Sequence, residues 1–141
     1  MTVALGADHG GYALKEEVKR YLLARSYQVT DCGVHSTEPA DYPYYGKTVA
    51  ECVASGRAHK GVVICGTGVG MSVAANRVPG IRAALCADSF TARMARAHND
   101  AQVLALGARV VGTGLALDIL AVFLSTDFEG GRHDRRVRQL D

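Results

Sequence analysis

Five short apolar runs alternate with stretches of helical spacing along the chain, and that alternation constrains the fold more than any other feature. Thr2–Gly6, Gln28–Asp31, Gly61–Cys65, Ile81–Cys86 and Gln102–Leu106 read as strands. Helical spacing covers Tyr12–Arg25, Tyr44–Ser55 and about Val69–Asn76, the last stopping before Pro79. Asp88 or Ser89 caps a fourth helix through about Ala97, and Thr113 caps a fifth through about Leu124. Strand and helix in strict turn predict an α/β fold, a parallel sheet covered on both faces. In the first helix Leu14, Val18, Tyr21 and Leu22 share one face, with Lys15, Glu16, Lys19 and Arg20 outside. Cys32–Pro43 is a long, mostly polar connection ending in the turn-like run Asp41-Tyr42-Pro43, and loops of that length are often functional.

A chain of 141 residues reads as one domain, 1–141, with a basic tail from about Phe128 that carries a short helix from Asp134. The formal net charge is +2, and Arg132, Arg135, Arg136 and Arg138 against Asp134 and Asp141 account for all of it. A small anionic ligand matches that charge better than a polyanion, so no nucleic-acid partner is expected. Cys32, Cys52, Cys65 and Cys86 form no CxxC and no zinc-ligand spacing, which fits free thiols in a reducing compartment. With no basic and apolar leader at Met1, the expected location is cytoplasmic. The apolar stretch Leu106–Leu124 contains Arg109 and Asp118, which argues against a membrane span.

Ligands of parallel α/β sheets bind at the carboxyl ends of the strands. Four of the five ends here carry polar or reactive groups: Asp8-His9, Cys65-Gly66-Thr67, Asp88 and Arg109. His98-Asn99 lies at a helix-to-strand junction and does not follow from that rule. Gly66-Thr67-Gly68-Val69-Gly70 resembles a dinucleotide fingerprint with Asp88 beyond it, but Met71 stands where the third glycine belongs. By itself the loop fits either a tight strand-to-helix turn or an anion cradle of backbone N–H groups. Cys65 fits either a buried small hydrophobe or a thiolate favoured by a helix N-terminus, acting as nucleophile or general base. The other three cysteines lack this setting and read as structural, and His35 and His59 read as surface residues. His9 and His98, with Asp8 and Asn99, would bring two imidazoles, a carboxylate and an amide to the sheet end. Tyr42 either covers the cleft or simply packs. Arg132 and Arg136, four apart, share a helical face and suit either solvation or phosphate clamping.

Taken in order, Asp8-His9-Gly10-Gly11, Asp41-Tyr42-Pro43, Cys65 to Gly70, Asn76-Arg77, His98-Asn99-Asp100 and Glu129-Gly130-Gly131-Arg132-His133 are a specific set. On these motifs the chain closely resembles ribose-5-phosphate isomerase type B, a family that includes the galactose-6-phosphate isomerase subunits. The resemblance implies a Rossmann-like three-layer αβα sandwich with a five-stranded parallel sheet and no bound dinucleotide. It implies a metal-independent interconversion of ribose 5-phosphate and ribulose 5-phosphate through a cis-enediolate, with no cofactor. A homodimer or a dimer of dimers with shared active sites is implied as well. Position by position, Cys65 matches the proton-abstracting base, and His98 the residue that opens the sugar ring with help from Thr67. Gly66, Thr67, Gly68, Val69 and Gly70 match the loop that holds the enediolate oxygens. Asp8 and Asn99 match hydroxyl contacts, and His9, Arg109, Arg132 and Arg136 match phosphate ligands, some of them reaching across a subunit boundary.

Three rival readings stay open on the sequence. A hexose 6-phosphate, allose or galactose, would serve as substrate if the pocket is deeper. A nucleotide- or flavin-binding module is opposed by Met71. A non-catalytic sugar-phosphate sensor is opposed by the otherwise complete residue set.

Overall fold

A computed structural model describes all of residues 1–141. The strands are β1 (Thr2–Ala7), β2 (Gln28–Asp31), β3 (Lys60–Cys65), β4 (Ala83–Leu85) and β5 (Val103–Gly107). The helices are α1 (Tyr12–Ala24), α2 (Tyr42–Ala54), α3 (Val69–Asn76), α4 (Ser89–Ala97), α5 (Thr113–Ser125) and α6 (Arg132–Arg138). All strands are parallel, in the order β2-β1-β3-β5-β4. This is the expected three-layer α/β sandwich.

The period of two along each strand sorts the core into its two layers. Val3 and Leu5 of β1 join Val62, Ile64, Leu104 and Leu106 beneath α1, α4 and α5, around Phe123 and Leu120. Ala4, Val63, Cys65, Val103 and Ala105 point the other way, against Val49 and Val53 of α2 and Met71 and Ala75 of α3. The chain therefore leaves β1 towards one face and β3 towards the other. The adjacent carboxyl ends of β1 and β3 form the switch point where such sheets open a crevice.

The register sets what meets there. Ala7 is level with Ile64, and Cys65 with Gly107. The Asp8 N–H donates to Ile64 O at 3.3 Å, and the Arg109 N–H to Gly66 O at 2.9 Å. The first residues past β1, β3 and β5 thus share one ledge.

The structure departs from the sequence reading in several places. α2 begins at Tyr42, not Tyr44, because Pro43 occupies the first helical turn, where its missing N–H costs nothing. α5 is capped by Gly112 rather than Thr113, and α6 starts at Arg132, two residues before Asp134. β4 keeps only three residues of Ile81–Cys86. Asp88 is the N-cap of α4, accepting the Thr91 N–H at 2.6 Å and the Thr91 hydroxyl at 2.9 Å.

The largest departure is Lys15, read as outward-facing but 0% exposed. Its Nζ donates to both oxygens of Asp31 at 2.8 Å, and Lys19 adds a third contact at 3.1 Å. Asp31 also accepts the Gly33 N–H at 2.9 Å. Burial alone would raise the Asp31 carboxyl, but the hydrogen bonds from Lys15, Gly33 and Lys19 hold it below the usual carboxylate range. No helix is long and apolar enough to cross a membrane.

Candidate active site

β3 delivers Cys65, 6% exposed, to the start of α3. Its side chain faces the α2 and α3 layer, so the sulfur lies beneath the first turn of α3. The Gly68 N–H donates to Cys65 Sγ at 3.2 Å. That contact is made possible by Gly68 itself, whose φ of 80° suits a residue without Cβ. A Cβ there would also stand 2.5 Å from Leu85 Cδ1 and 2.9 Å from the Leu106 carbonyl carbon. The peptide dipole of Gly68 and the N-terminus of α3 both place positive charge against the sulfur. Burial, with Asp88 as a second cause, pushes the Cys86 thiol up to about 11. Burial likewise raises the Cys32 thiol, and all four cysteines are free.

Around the sulfur, Thr67 and Val69 are exposed on the ledge, and the Val69 N–H donates to Thr67 Oγ1 at 3.3 Å. Tyr42 reaches the loop from the start of α2. A Cβ on Gly70 would lie 2.7 Å from Tyr42 Cε1, so glycine there lets the ring close over the helix turn. The Arg109 side chain lies over Gly66, its Cδ 3.6 Å from where a Cβ on that residue would stand. Asp8 Oδ1 accepts the Gly11 N–H at 3.1 Å, which braces the turn after β1. The Ala40 N–H lies 3.0 Å and the Ala40 O 3.3 Å from His9 Nδ1, which ties the ring to the long loop and leaves Nε2 without a protein partner. The structure therefore gathers Asp8, His9, Tyr42, Cys65, residues 66–70 and Arg109 at the carboxyl edge of the sheet.

The remaining expected residues lie elsewhere. α4 runs back from the carboxyl edge to the amino edge, and His98 is its C-cap. Arg82, just before β4, donates from Nε to Asn99 O at 3.1 Å and to Asp100 O at 3.2 Å, which fixes that turn at the amino edge. The Glu129 N–H donates to Ala97 O at 3.0 Å and brings α6 to the same end. A pocket of about 350 Å³ there is lined by His98, Asn99, His133, Arg136, Val137 and Leu140. Arg132 begins the helix that carries Arg136. Strands of this length separate the two edges by roughly 15–20 Å. Within one protomer, His98, Asn99, Arg132 and Arg136 do not meet Cys65, contrary to the expectation that both imidazoles share one sheet end. None of the surface pockets is lined by Cys65 or residues 66–70. In one protomer the thiol is buried beneath an open ledge formed by the loop.

Two residues at the amino edge, Glu129 and His133, stand in a motif of the sequence reading that gave neither of them a role. The His98 and His133 rings stack with centroids 4.1 Å apart and planes 9° from parallel. Glu129 Oε1 lies 3.8 Å from His98 Nε2 and 3.6 Å from His133 Nε2. Burial and the neighbouring His98, Arg132 and Arg136 lower the His133 imidazole, against a smaller opposite pull from Glu129. The Glu129–His133 spacing of four was the available signal, but it becomes telling only once His98 is placed beside it.

Comparison with known proteins agrees with this architecture. A family described as Ribose/Galactose Isomerase matches residues 3–140. Ribose-5-phosphate isomerase B of Escherichia coli (strain K12) is 47% identical over 138 residues, covering 98% of this chain and 93% of its own. D-erythrulose-4-phosphate isomerase of Pectobacterium atrosepticum is 41% identical, covering 99% and 93%. The solved structure of Clostridium thermocellum ribose-5-phosphate isomerase B superposes with a TM-score of 0.99 at 56% identity, covering 99% of this chain and 95% of that one. A match of that extent, in fold and sequence alike, leaves no part of the sandwich unaccounted for: the chain belongs to the ribose/galactose isomerase family and is an enzyme.

Proposed function

We propose that the protein interconverts ribose 5-phosphate and ribulose 5-phosphate through a cis-enediolate, without a metal, at sites shared between two copies of the chain. The observation that carries the reading is the Gly68 N–H on Cys65 Sγ at 3.2 Å, at the mouth of a loop whose outer residues face solvent. A sulfur so placed is held ready as a base, and the Thr67 and Gly70 N–H groups of the loop are left for an oxyanion.

In this mechanism the sugar's phosphate is held by His9 and Arg109 of one chain and by Arg132 and Arg136 of the partner subunit. His98 of the partner subunit moves the proton that opens the furanose, with Thr67 beside it. Asp8 and Asn99 of the partner subunit hold hydroxyls, and Tyr42 flanks the cleft. The Cys65 thiolate takes the proton from C2, the C2–H electrons form the enediolate double bond, and negative charge moves to oxygen. Backbone N–H groups of residues 66–70 stabilise that charge, an effect for which one lost donor costs about 10²–10³ in rate. The hydroxyl proton on O2 passes to O1, and return of the proton from Cys65 to C1 then forms the C2 carbonyl and completes the ketose. Phosphate binding, remote from the reacting carbons, holds them in register.

The separation of the two clusters supports sharing. A twofold pairing lets the amino edge of each protomer cover the carboxyl edge of the other, making two equivalent sites. Tyr44, Val69, Val73 and Phe90 are exposed apolar side chains near the ledge and suit burial by a second copy as a homodimer or dimer of dimers.

A nucleotide-binding reading is weakened by the burial of Met71, at 0% exposure, and by the commitment of both Asp88 oxygens to Thr91. A hexose 6-phosphate reading draws on the galactose in the family's description. Coupled assays on ribose 5-phosphate, allose 6-phosphate and galactose 6-phosphate separate them. We expect kcat/KM to favour ribose 5-phosphate by at least about tenfold, the lower end of what a pocket yields for one extra carbon. A preference for either hexose phosphate would overturn the substrate assignment.

A further inference from the structure

Beside His98 at the amino edge stand Glu129 and His133, to which the reaction proposed above gives no role. His133 is 6% exposed, and its Nε2 is a buried nitrogen with no hydrogen-bond partner. Such an atom carries a desolvation cost that native structures rarely leave uncompensated. It faces Glu129 Oε1 at 3.6 Å, and His98 Nε2 faces the same oxygen at 3.8 Å. Both separations are too long for hydrogen bonds. They are close to the spacing of two donors on one tetrahedral ion. Zinc bonds of about 2.0–2.2 Å to nitrogen and oxygen place neighbouring donors roughly 3.3–3.6 Å apart. The three donor atoms lie within 4.8 Å of one another.

We propose that His98, Glu129 and His133 form a binding site for a divalent transition metal of the zinc type, and that its occupancy stops turnover by capturing His98. Two imidazoles and one carboxylate are a borderline-soft donor set that favours zinc over magnesium or calcium. Three protein ligands leave a fourth position, which opens into the pocket lined by Asn99 and Arg136 and would hold water. Arg136 in the same pocket opposes a cation, so binding is weaker than at a closed structural zinc site. The two rings stack 9° from parallel, so binding requires the half-exposed His98 ring to swing out of its stack on His133. The ion is an inhibitor and takes no part in the reaction. The inhibitory half rests on the role of His98 proposed above, whereas the binding half does not.

Titration of the intact protein with Zn²⁺ by calorimetry, with Co²⁺ absorption as a spectroscopic check, tests both halves. Wild type and Cys65→Ser are expected to bind one ion per chain with similar affinity. Glu129→Gln and His133→Gln are each expected to weaken binding by more than about tenfold, since even outer-shell partners of a metal cost roughly 10–100-fold. Glu129 is exposed, so Glu129→Gln serves even if the buried His133 variant folds poorly. Equal binding in all variants would overturn the site, and so would loss confined to Cys65→Ser, which would assign the ion to the thiol. In assays, Zn²⁺ is expected to inhibit wild type reversibly by chelator and to inhibit Glu129→Gln at least about tenfold more weakly. Binding as expected without inhibition would keep the metal site, overturn the regulation and count against the role of His98.

Discussion

Cys65→Ala is expected to lower turnover by about 10²–10⁴ or more, the range a general base contributes, while the chain keeps its fold and its affinity for phosphate. The sulfur is buried at the end of β3 and accepts one N–H, from Gly68 at 3.2 Å. Alanine in its place removes a single atom from the edge of the core, so the stability cost should stay near 1 kcal/mol, as for ordinary substitutions. The phosphate groups of the proposed site, His9 and Arg109 on the ledge, do not depend on the thiol. Steady-state kinetics on both sugar phosphates, with thermal melts and inorganic phosphate titration alongside, read the three effects separately. Near-normal turnover would remove Cys65 from the role of base. A collapse of the fold with no separable kinetic loss would return it to a core filler.

Asp31→Asn is expected to have the largest effect on stability, a loss of about 3–5 kcal/mol, because it leaves a buried cation without its counterion. Lys15 is 0% exposed and donates to both Asp31 oxygens at 2.8 Å. Its only other carboxylate contact is Glu16 at 3.1 Å, from a side chain one third exposed. Paired replacement of Lys15 and Asp31 by apolar residues should recover much of the loss, since the pair's desolvation disappears with it. The same carboxyl makes stability pH-dependent. Asp31 is held below the usual carboxylate range in the folded state. Its contribution is therefore present above the unfolded carboxyl value of about 3.9 and is lost as pH falls through the lower folded value. Urea melts of wild type should lose stability on acidification below about pH 4 more steeply than melts of Asp31→Asn. Parallel slopes would contradict the assignment.

How far the sequence reached can be judged residue by residue. Cys65 was legible because strand end, thiol and glycine turn are consecutive, and local order is enough to place them. The alternation of strands and helices likewise gave the sheet and its two helical layers. Lys15 was not legible. Helical periodicity sorts residues by polarity, and only the pairing of β1 with β2 reveals that Asp31 waits beneath α1. Tyr42 was assigned to a turn because Pro43 punctuates loops, although proline in a first helical turn was an equally valid signal. His98 is the instructive case. Its motif marks it as functional, but its position depends on α4 running against the strands, which carries it to the opposite edge from Cys65. Sequence order says nothing of that distance, and the open ledge over Cys65 becomes visible only in three dimensions. Glu129 and His133 needed the fold for the same reason.

The division of one reaction centre between two chains is the central claim, and subunit mixing tests it directly. Cys65→Ala and His98→Asn should each be inactive alone. When the two chains are co-expressed, half of the dimers are mixed, and each mixed dimer holds one site with both residues intact and one with neither. The account predicts recovery of up to about one quarter of wild-type activity in the co-expressed mixture, and about one half in mixed dimers purified through separate tags on the two chains. Mixed dimers as inactive as either parent would contradict it.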